Sequence, residues 1–385
     1  MTLVARDPRA PFVLASAAQP VERRPRGYDV VLGGLVLVLG LYGAVLVWAA
    51  TRETSGESYL WRHLLNLALA TGLMFGAARL DARLLRLFGP AVYLASFSGL
   101  LLVLAIGTRE NGAKAWIRVG GGFELQPSEF MKLGLIVGLA VLFTRRDDQD
   151  DHAPRATSDV VLALVLTAVP LGLIMMQPDL GSAMVLACAV FGVLVVAGVR
   201  ARWTVGLLAV GVLLALVAIH SGVLHDYQLD RIKSFAHPNV DPLGASYNVN
   251  QAHIAIAGGG LFGTGLFNGP QTNGGYVPEQ QTDFIFSVAG EELGLVGAAL
   301  IIALFALLCW RGLRIAREAD HAGRIVAVGV VCWFGFQAFQ NIGMNLGLTP
   351  VTGVPLPFVS YGGSSMFAQG LAIGLLQAVR RRALD

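Results

Sequence analysis

The sequence predicts an all-α polytopic membrane protein with ten transmembrane helices, and three observations lead to this class. Hydrophobic residues make up 55% of the 385 residues and charged residues only 14%, which is too little charge for the surface of a soluble domain of this length. Ten apolar runs approach the roughly 20 residues with which a helix crosses a bilayer core of about 30 Å. Charged or turn-forming residues separate the runs. The ten runs lie near residues 29–50, 63–78, 88–107, 126–143, 160–176, 182–199, 203–221, 284–310, 325–346 and 364–379.

The distribution of basic residues orients these runs. With the N-terminus inside the cell, 20 of the 28 Lys and Arg residues fall on the inner side, as the positive-inside rule requires. Both termini are therefore predicted to be cytoplasmic. Residues 1–28 have no signal-peptide pattern and are predicted to be a disordered tail, residues 29–380 form the membrane domain, and residues 381–385 form a cytoplasmic end.

Other compositional features exclude some function classes. The net charge of +3 is too small to indicate nucleic-acid binding. Cys188, Cys309 and Cys332 stand singly in apolar runs, so the sequence predicts neither a disulfide framework nor a cysteine metal site.

Two outer segments are long and polar, and they place the working side of the protein outside the cytoplasmic membrane. They are residues 108–125 and residues 222–283, the second of which joins the seventh and eighth helices. Loops of such length in compact proteins are usually functional or disordered. The stretch GGGLFGTG at 258–265 matches a dinucleotide-binding pattern, but no βαβ unit surrounds it. A glycine-rich turn whose N–H groups meet a pyrophosphate is the alternative that stays open.

Ionisable residues inside or beside the apolar runs are candidates for function, because they are costly in a bilayer. In QPSEFMK, Glu129 and Lys132 are three residues apart and share one helix face. They form either a self-neutralising pair or a site in which Lys132 faces an anion-binding cavity. In QPDLGS, Asp179 follows Pro178 and is predicted to cap the next helix, to contact substrate, or to do both.

Polar and helix-breaking residues also cluster near the C-terminus. PLPFVSYGGSS at 355–365 contains two prolines and the pair Gly362 and Gly363, so its backbone is not helical and must be buried or line a cavity. The ninth predicted helix carries amide side chains that cannot face lipid and therefore face a partner helix or a wet cavity. These residues are Gln337, Gln340, Asn341 and Asn345.

Three acids stand where the long outer loop meets the eighth apolar run, in PEQQTDFIFSVAGEELG at 278–294. Asp283 and Glu291 are eight residues apart, or about 12 Å along a helix, which exceeds the roughly 5–9.5 Å of paired glycosidase carboxylates. A single carboxylate at Asp283 suits a general base, with helix capping as the alternative. Glu291 and Glu292 are predicted to pair with outer-loop cations such as Arg231 or Lys233.

Six motifs together resemble one family. QPSEFMK, QPDLGS, DPLGASYN, IAIAGGGLFGTG, PEQQTDFIFSVAGEELG and GVPLPFVSYGGSS are similar to those of the SEDS proteins (shape, elongation, division and sporulation), over about residues 29–380 and in the same order. The resemblance implies a ten-helix membrane enzyme that polymerises lipid II into peptidoglycan glycan strands. IAIAGGG and GVPLP are more similar to the elongation-type members than to the division-type members.

The resemblance also assigns roles to residues. Asp283, in TDFIF, matches the aspartate that is essential for polymerisation in the family. Two departures leave the substrate contacts of the outer loop in doubt: IAIAGGG lacks a serine of the family pattern, and Gln281 replaces a basic residue or histidine. The resemblance implies substrate binding by Lys132, Trp116, Arg231 and Asp179. Glu129 and Ser360 are also predicted to bind substrate, and Glu291, Glu292, Gly362 and Gly363 are predicted to hold or orient the site.

The implied reaction is an inverting glycosyl transfer that needs one base and no covalent intermediate. Lys132, Arg231 or a divalent cation (Mg²⁺ or Mn²⁺) is expected to stabilise the departing pyrophosphate, and no organic cofactor is expected. The expected partner is a class B penicillin-binding protein, which is a single-pass transpeptidase. The main alternative is a transporter that flips lipid II between leaflets, because broken helices and polar cavities serve transporters as well. A scaffold that only recruits partners accounts poorly for polar residues inside the spans.

Overall fold

The computed structural model describes residues 27–382, apart from residue 81 and the segments 111–112, 121–122, 146–155, 221–234 and 236–245. Within these residues the chain forms thirteen helices and three short strands. In chain order they are α1 Val30–Ser55, α2 Ser58–Ala77, α3 Ala82–Ile106, β1 Thr108–Glu110, β2 Ala113–Gly120, β3 Phe123–Leu125, α4 Pro127–Thr144, α5 Thr157–Met176, α6 Leu180–Val196, α7 Ala201–His220, α8 Tyr247–Gly259, α9 Pro270–Asn273, α10 Ile285–Glu292, α11 Gly294–Glu318, α12 His321–Asn345 and α13 Gly363–Arg382.

The predicted class, a helical multi-pass membrane protein, is confirmed. Nine of the ten apolar runs each fall on one of the long helices α1 to α7, α12 and α13, and most of the remaining run falls on α11. Among the described helices, six are long and apolar enough to cross a membrane by length and composition. The three cysteines are free, as predicted.

The eighth apolar run differs from the prediction, since residues 284–310 form two helices instead of one. The break lies between α10 and α11, where Gly294 has a φ of +65°, a conformation that favours glycine. A Cβ on Gly294 would lie 2.4 Å from the backbone N of Gly263. The helix therefore breaks because the glycine-rich outer segment crosses it at backbone contact.

The helices pack in pairs, and the pair α2 and α13 bears directly on the site. A Cβ on Gly370 would lie 2.4 Å from the carbonyl O of Ala70, and one on Gly374 would lie 2.4 Å from that of Met74. Small residues allow such close approach of helix backbones in membranes. These contacts fix α2 and α13 side by side and parallel, because positions further along one helix meet positions further along the other.

A buried ionic cluster ties the first and last helices together on the side predicted to be cytoplasmic. The carboxylate of Asp29 accepts a hydrogen bond from the backbone N of Leu32 at 3.1 Å, which caps α1, and one from Nε of Arg311 at 2.8 Å. Arg380 also pairs with it. Backbone N of Asp29 donates to Oε1 of Gln377 at 2.7 Å, so helices α1, α11 and α13 are joined.

The outer segment 108–125 contains a small antiparallel sheet, in the order β1-β2-β3, which the all-α prediction did not include. Thr108 pairs with Trp116, and Ile117 pairs with Leu125. The signal was present in the sequence, since an Asn-Gly pair at 111–112 is followed by a short run that includes β-favouring residues. The sheet places Trp116 on the outer side of the helical bundle.

Candidate active site

A cavity of about 720 Å³ lies on the side of the protein that carries the outer loops. Its walls come from α2, the sheet, the turn before α6, the loop before α10 and the irregular segment between α12 and α13. Such a volume is typical of sites for small molecules. The sequence-predicted residues among its lining are Trp116, Asp179, Asp283, Gly362 and Gly363.

Asp283 lines this cavity, and buried amide side chains hold its backbone in place by hydrogen bonds. Its backbone O accepts hydrogen bonds from Nδ2 of Asn341 at 2.8 Å and of Asn345 at 3.1 Å. Its Oδ2 lies 3.2 Å from the position of a Cβ on Gly353, so a side chain there would crowd the carboxylate. The N-cap of the following helix is Phe284, without a side-chain cap bond. Asp283 is therefore not the N-cap of this helix.

The amide side chains of α12 bind the irregular segment that lies against them. Nε2 of Gln337 donates to the carbonyl O of Pro355 at 2.8 Å, and Nδ2 of Asn341 donates to that of Val354 at 2.8 Å. Gln340 binds another carbonyl of this segment. Buried carbonyls outside regular structure need such partners. The amide stripe is thus structural, and it fixes both Asp283 and one wall of the cavity.

Asn341→Leu tests these hydrogen bonds, because leucine has a shape similar to that of asparagine and cannot donate a hydrogen bond. The carbonyls of Asp283 and Val354 would lose a partner, at a cost of about 1–3 kcal/mol in the free energy of unfolding. We expect a lower unfolding temperature in detergent and a fall in kcat of up to about 100-fold from misplacement of the carboxylate. Phe339→Leu, at an exposed position of the same helix, serves as the control. Wild-type values for both quantities in Asn341→Leu would contradict the assignment.

The loop that carries Asp283 is also held to the turn before α13. Oγ of Ser360 accepts from the backbone N of Leu356 at 2.8 Å and donates to the carbonyl O of Thr282. Backbone N of Tyr361 donates to the carbonyl O of Gln281 at 2.9 Å. Ser360 is buried and lies outside the cavity lining, so its predicted substrate contact stays a prediction.

Asp179 caps α6, since its Oδ1 accepts from the backbone N of Ser182 at 2.9 Å. Its Oδ2 accepts from Nε2 of Gln126 at 3.0 Å. Capping is therefore confirmed for Asp179. Because the residue also lines the cavity, its predicted contact with substrate is compatible with the cap.

Glu129 and Lys132 form a buried pair beneath the site. Nζ of Lys132 lies 2.7 Å from Oε1 of Glu129, and each side chain is 1% exposed. Nζ also donates to Oε1 of Gln337 at 3.4 Å and lies 5.1 Å from the centre of the Trp333 ring. Neither residue is part of the cavity lining. The geometry is that of the self-neutralising pair, and substrate contacts of both residues stay predictions.

Glu291 and Glu292 bind the outer loop. The carboxylate of Glu291 accepts from the backbone N of Gln271 at 2.7 Å and of Thr272 at 2.8 Å, at the start of α9. Oε2 of Glu292 accepts from the backbone N of Phe267 at 3.1 Å. Both acids therefore hold loop backbone. The predicted ion-pair partners, Arg231 and Lys233, lie outside the described residues, as does the predicted substrate contact of Arg231.

The glycine-rich motif GGGLFGTG also packs against the segment that contains Glu291 and Glu292. A Cβ on Gly259 would lie 1.9 Å from the carbonyl O of Gly290, so only glycine permits the approach. Backbone N of Thr264 donates to the carbonyl O of Glu291 at 2.9 Å. Amides of the motif bind protein carbonyls, which argues against a pyrophosphate site there.

Arg62 is a charged cavity residue that was not identified from the sequence. Arg62 lines the cavity, as does Tyr361. Burial raises the pKa of the Tyr361 phenol, and Arg62 opposes that rise. The signal was its position, because an arginine directly before the second apolar run stands on the outer side, against the positive-inside trend.

The chain is similar to known proteins over most of its length. Residues 29–384 match the model of the cell cycle protein family that comprises FtsW, RodA and SpoVE. Stage V sporulation protein E of Bacillus subtilis strain 168 is 38% identical over 360 residues, which cover 91% of this chain and 96% of that protein. Peptidoglycan glycosyltransferase MrdB of Escherichia coli K12 is 36% identical over 351 residues, which cover 90% and 91% of the two chains.

Two solved structures share the fold. The rod shape determining protein RodA of Thermus thermophilus matches with a TM-score of 0.69 and 32% identity, over 93% of this chain and 98% of that one. A chain from a study of how a peptidoglycan synthase complex coordinates polymerization and crosslinking matches with a TM-score of 0.77 and 33% identity, over 92% and 98%.

The fold and the cavity define a multi-pass membrane protein with a polar site on the side of its outer loops. The chain belongs to the FtsW, RodA and SpoVE family of cell cycle proteins, the SEDS family that its motifs resemble.

Proposed function

We propose that this protein is an inverting glycosyltransferase that polymerises lipid II into peptidoglycan glycan strands on the outer face of the cytoplasmic membrane. The proposal depends most on the carboxylate of Asp283, which lines an outer cavity. Buried amide side chains hold the backbone of this residue by hydrogen bonds. The names of relatives such as MrdB, a peptidoglycan glycosyltransferase, support the same reaction class.

The geometry is suited to a reaction with a single base. The C4 hydroxyl of the acceptor attacks the anomeric carbon of the donor, and the bond from that carbon to the pyrophosphate oxygen breaks with its electron pair leaving on the pyrophosphate. Asp283 takes the hydroxyl proton, a role that contributes about 10²- to 10⁴-fold in rate. The polyprenyl tails stay in lipid, while the saccharides and pyrophosphates enter the cavity.

The divalent cation expected from the sequence remains a prediction. Among the residues that the structure describes, no three His, Cys, Asp or Glu side chains converge to hold a metal ion. These residues therefore do not form a complete metal site by themselves, and no step above depends on a metal.

We further propose an elongation-type role in cell shape with a class B penicillin-binding protein as partner. IAIAGGG and GVPLP support the elongation type. The neighbour from a peptidoglycan synthase complex that joins polymerization and crosslinking supports a transpeptidase partner. Restoration of rod shape in cells depleted of the elongation-type protein, without rescue of cells depleted of the division-type protein, is the expected result. The reverse pattern of rescue would assign the chain to division.

Glycan-strand formation from purified lipid II tests the reaction. We would measure it in liposomes that contain the wild-type protein, with and without its class B penicillin-binding protein. Polymer on gels, removed by a muramidase, is the expected result. Lipid II that crosses the liposome bilayer without forming polymer would instead identify a transporter.

A further inference from the structure

The cavity contains an imbalance of charge that the general base does not explain. Four of the acidic residues of the described chain line it, and Arg62 is the only Lys or Arg in the described lining. A substrate that carries a pyrophosphate would be repelled by such acids unless its negative charge met Arg62 and other donors. The acids are Glu124, Asp179, Glu279 and Asp283.

Donors of this kind lie next to Arg62, at the N-terminus of α13. The first N–H groups of a helix have no acceptor within the helix, and they carry its positive dipole end. In α13 these groups begin at Gly363, and Gly362, Gly363 and Ser365 line the cavity. Helix N-termini of this kind bind phosphate groups.

A second, independent feature indicates a ligand at this place. Asn66 lines the cavity, is only 4% exposed, and its Oδ1 has no hydrogen-bond partner among the described residues. Its Nδ2 lies 3.5 Å from the position of a Cβ on Gly363. Buried polar atoms without partners are rare and costly. The hydroxyls of a saccharide linked to pyrophosphate would donate to this Oδ1, and the pyrophosphate oxygens would accept from Nδ2.

The packing of the helices brings these groups together. Arg62 and Asn66 are four residues apart on α2 and share one face. Since α2 runs parallel to α13 and Asn66 lies beside Gly363, Arg62 lies one helical turn before the N-terminus of α13, on its outer side. It therefore lies near the first N–H groups of α13 and near Tyr361, the residue just before Gly362, which also lines the cavity.

We propose that Arg62, Asn66 and the N-terminus of α13 form a binding subsite for the pyrophosphate of a polyprenyl-linked saccharide. This subsite rests on the proposed function, in which it holds the leaving group. Its position is consistent with that role, because the backbone N of Tyr361 binds the carbonyl O of Gln281, two residues before Asp283. The base and the subsite thus lie on two segments that are hydrogen-bonded to each other.

Direct binding separates this subsite from catalysis. Undecaprenyl pyrophosphate would be titrated into the purified full-length protein in detergent, with undecaprenol as the uncharged probe. Wild type should bind the pyrophosphate more tightly than the alcohol. We expect Arg62→Gln to weaken pyrophosphate binding about 10- to 100-fold, the usual effect of losing a charged hydrogen bond, and Arg62→Lys to retain part of it. Asn66→Leu should weaken binding as well, because it removes the Nδ2 donor for the pyrophosphate oxygens.

Two controls make the result specific. Arg52→Gln removes a cation that lies near the outer loops and outside the cavity lining, and it should leave binding unchanged. Asp283→Asn should abolish polymerisation and retain pyrophosphate binding. Equal binding by Arg62→Gln and wild type, or equal affinity of wild type for the alcohol and the pyrophosphate, would overturn the subsite. Absence of polymer from wild type would overturn the proposed function and leave the binding result to be judged separately.

Discussion

Asp283→Asn should abolish glycan polymerisation, with kcat lowered by about 10²- to 10⁴-fold. Asparagine keeps the shape of aspartate but cannot accept the proton of the attacking hydroxyl. The backbone contacts that hold this position come from Asn341 and Asn345 to the carbonyl O of Asp283, and the substitution leaves them in place. Folding and substrate binding should therefore be preserved. The measurement is the initial rate of polymer formation from lipid II, together with the unfolding temperature of each variant.

Glu53→Gln is the matched control for this substitution. Its side chain is 51% exposed and lies outside the cavity lining, so its loss of charge should not change the rate. Polymerisation by Asp283→Asn at the wild-type rate would show that the carboxylate is not the base. Loss of activity with loss of folding would instead identify a structural role for Asp283, and Asp283→Ala would then be compared with it.

Lys132→Met should have the largest effect on stability. It would leave the carboxylate of Glu129 buried without its cation, and Oε2 of that carboxylate already lacks a hydrogen-bond partner among the described residues. Breaking a buried ion pair by removing one partner costs about 3–5 kcal/mol. The expected result is a marked fall in the free energy of unfolding in mixed detergent micelles, measured by denaturant titration.

The double variant Glu129→Gln with Lys132→Met decides between the two interpretations of the pair. It removes both charges, so a purely structural pair predicts recovery of most of the lost stability and of activity. Lys114→Met removes a lysine that is not buried in an ion pair and that donates to carbonyls at the end of α3, so its cost in stability should be smaller than that of Lys132→Met. A stable Lys132→Met protein that has lost polymerisation would show that Lys132 acts on substrate, as the family resemblance implies.

Particular residues show how much of the site was accessible from the sequence. Asp283 was found because an acid at the start of an apolar run is costly in a membrane, and the sequence alone shows where such an acid lies. Asp179 was found in the same way, together with its capping role. Arg62 was missed, because only the packing of α2 against α13 shows that it enters the cavity.

Other residues were found with their roles undecided. The amides of α12 had to avoid lipid, but their partners are carbonyls of residues 350–355 and of Asp283, which are distant in sequence or irregular in structure. Glu291 and Glu292 bind backbone N–H groups of the outer loop, while their predicted cation partners, Arg231 and Lys233, lie outside the described residues. A carboxylate accepts from either kind of donor, so the sequence could not distinguish them.

The sequence by itself determined the class of the protein and the positions of its apolar helices, and it predicts the side of the membrane on which the protein works. These follow from composition, run length and the placement of basic residues, which act locally or against the bilayer. The tertiary structure decided which polar residues meet. The break at Gly294, the burial of Lys132 against Gln337 and Trp333, and the approach of Arg62 to the start of α13 all depend on contacts between distant segments. Such contacts are set by the close packing of side chains, whose geometry no local pattern of residues specifies.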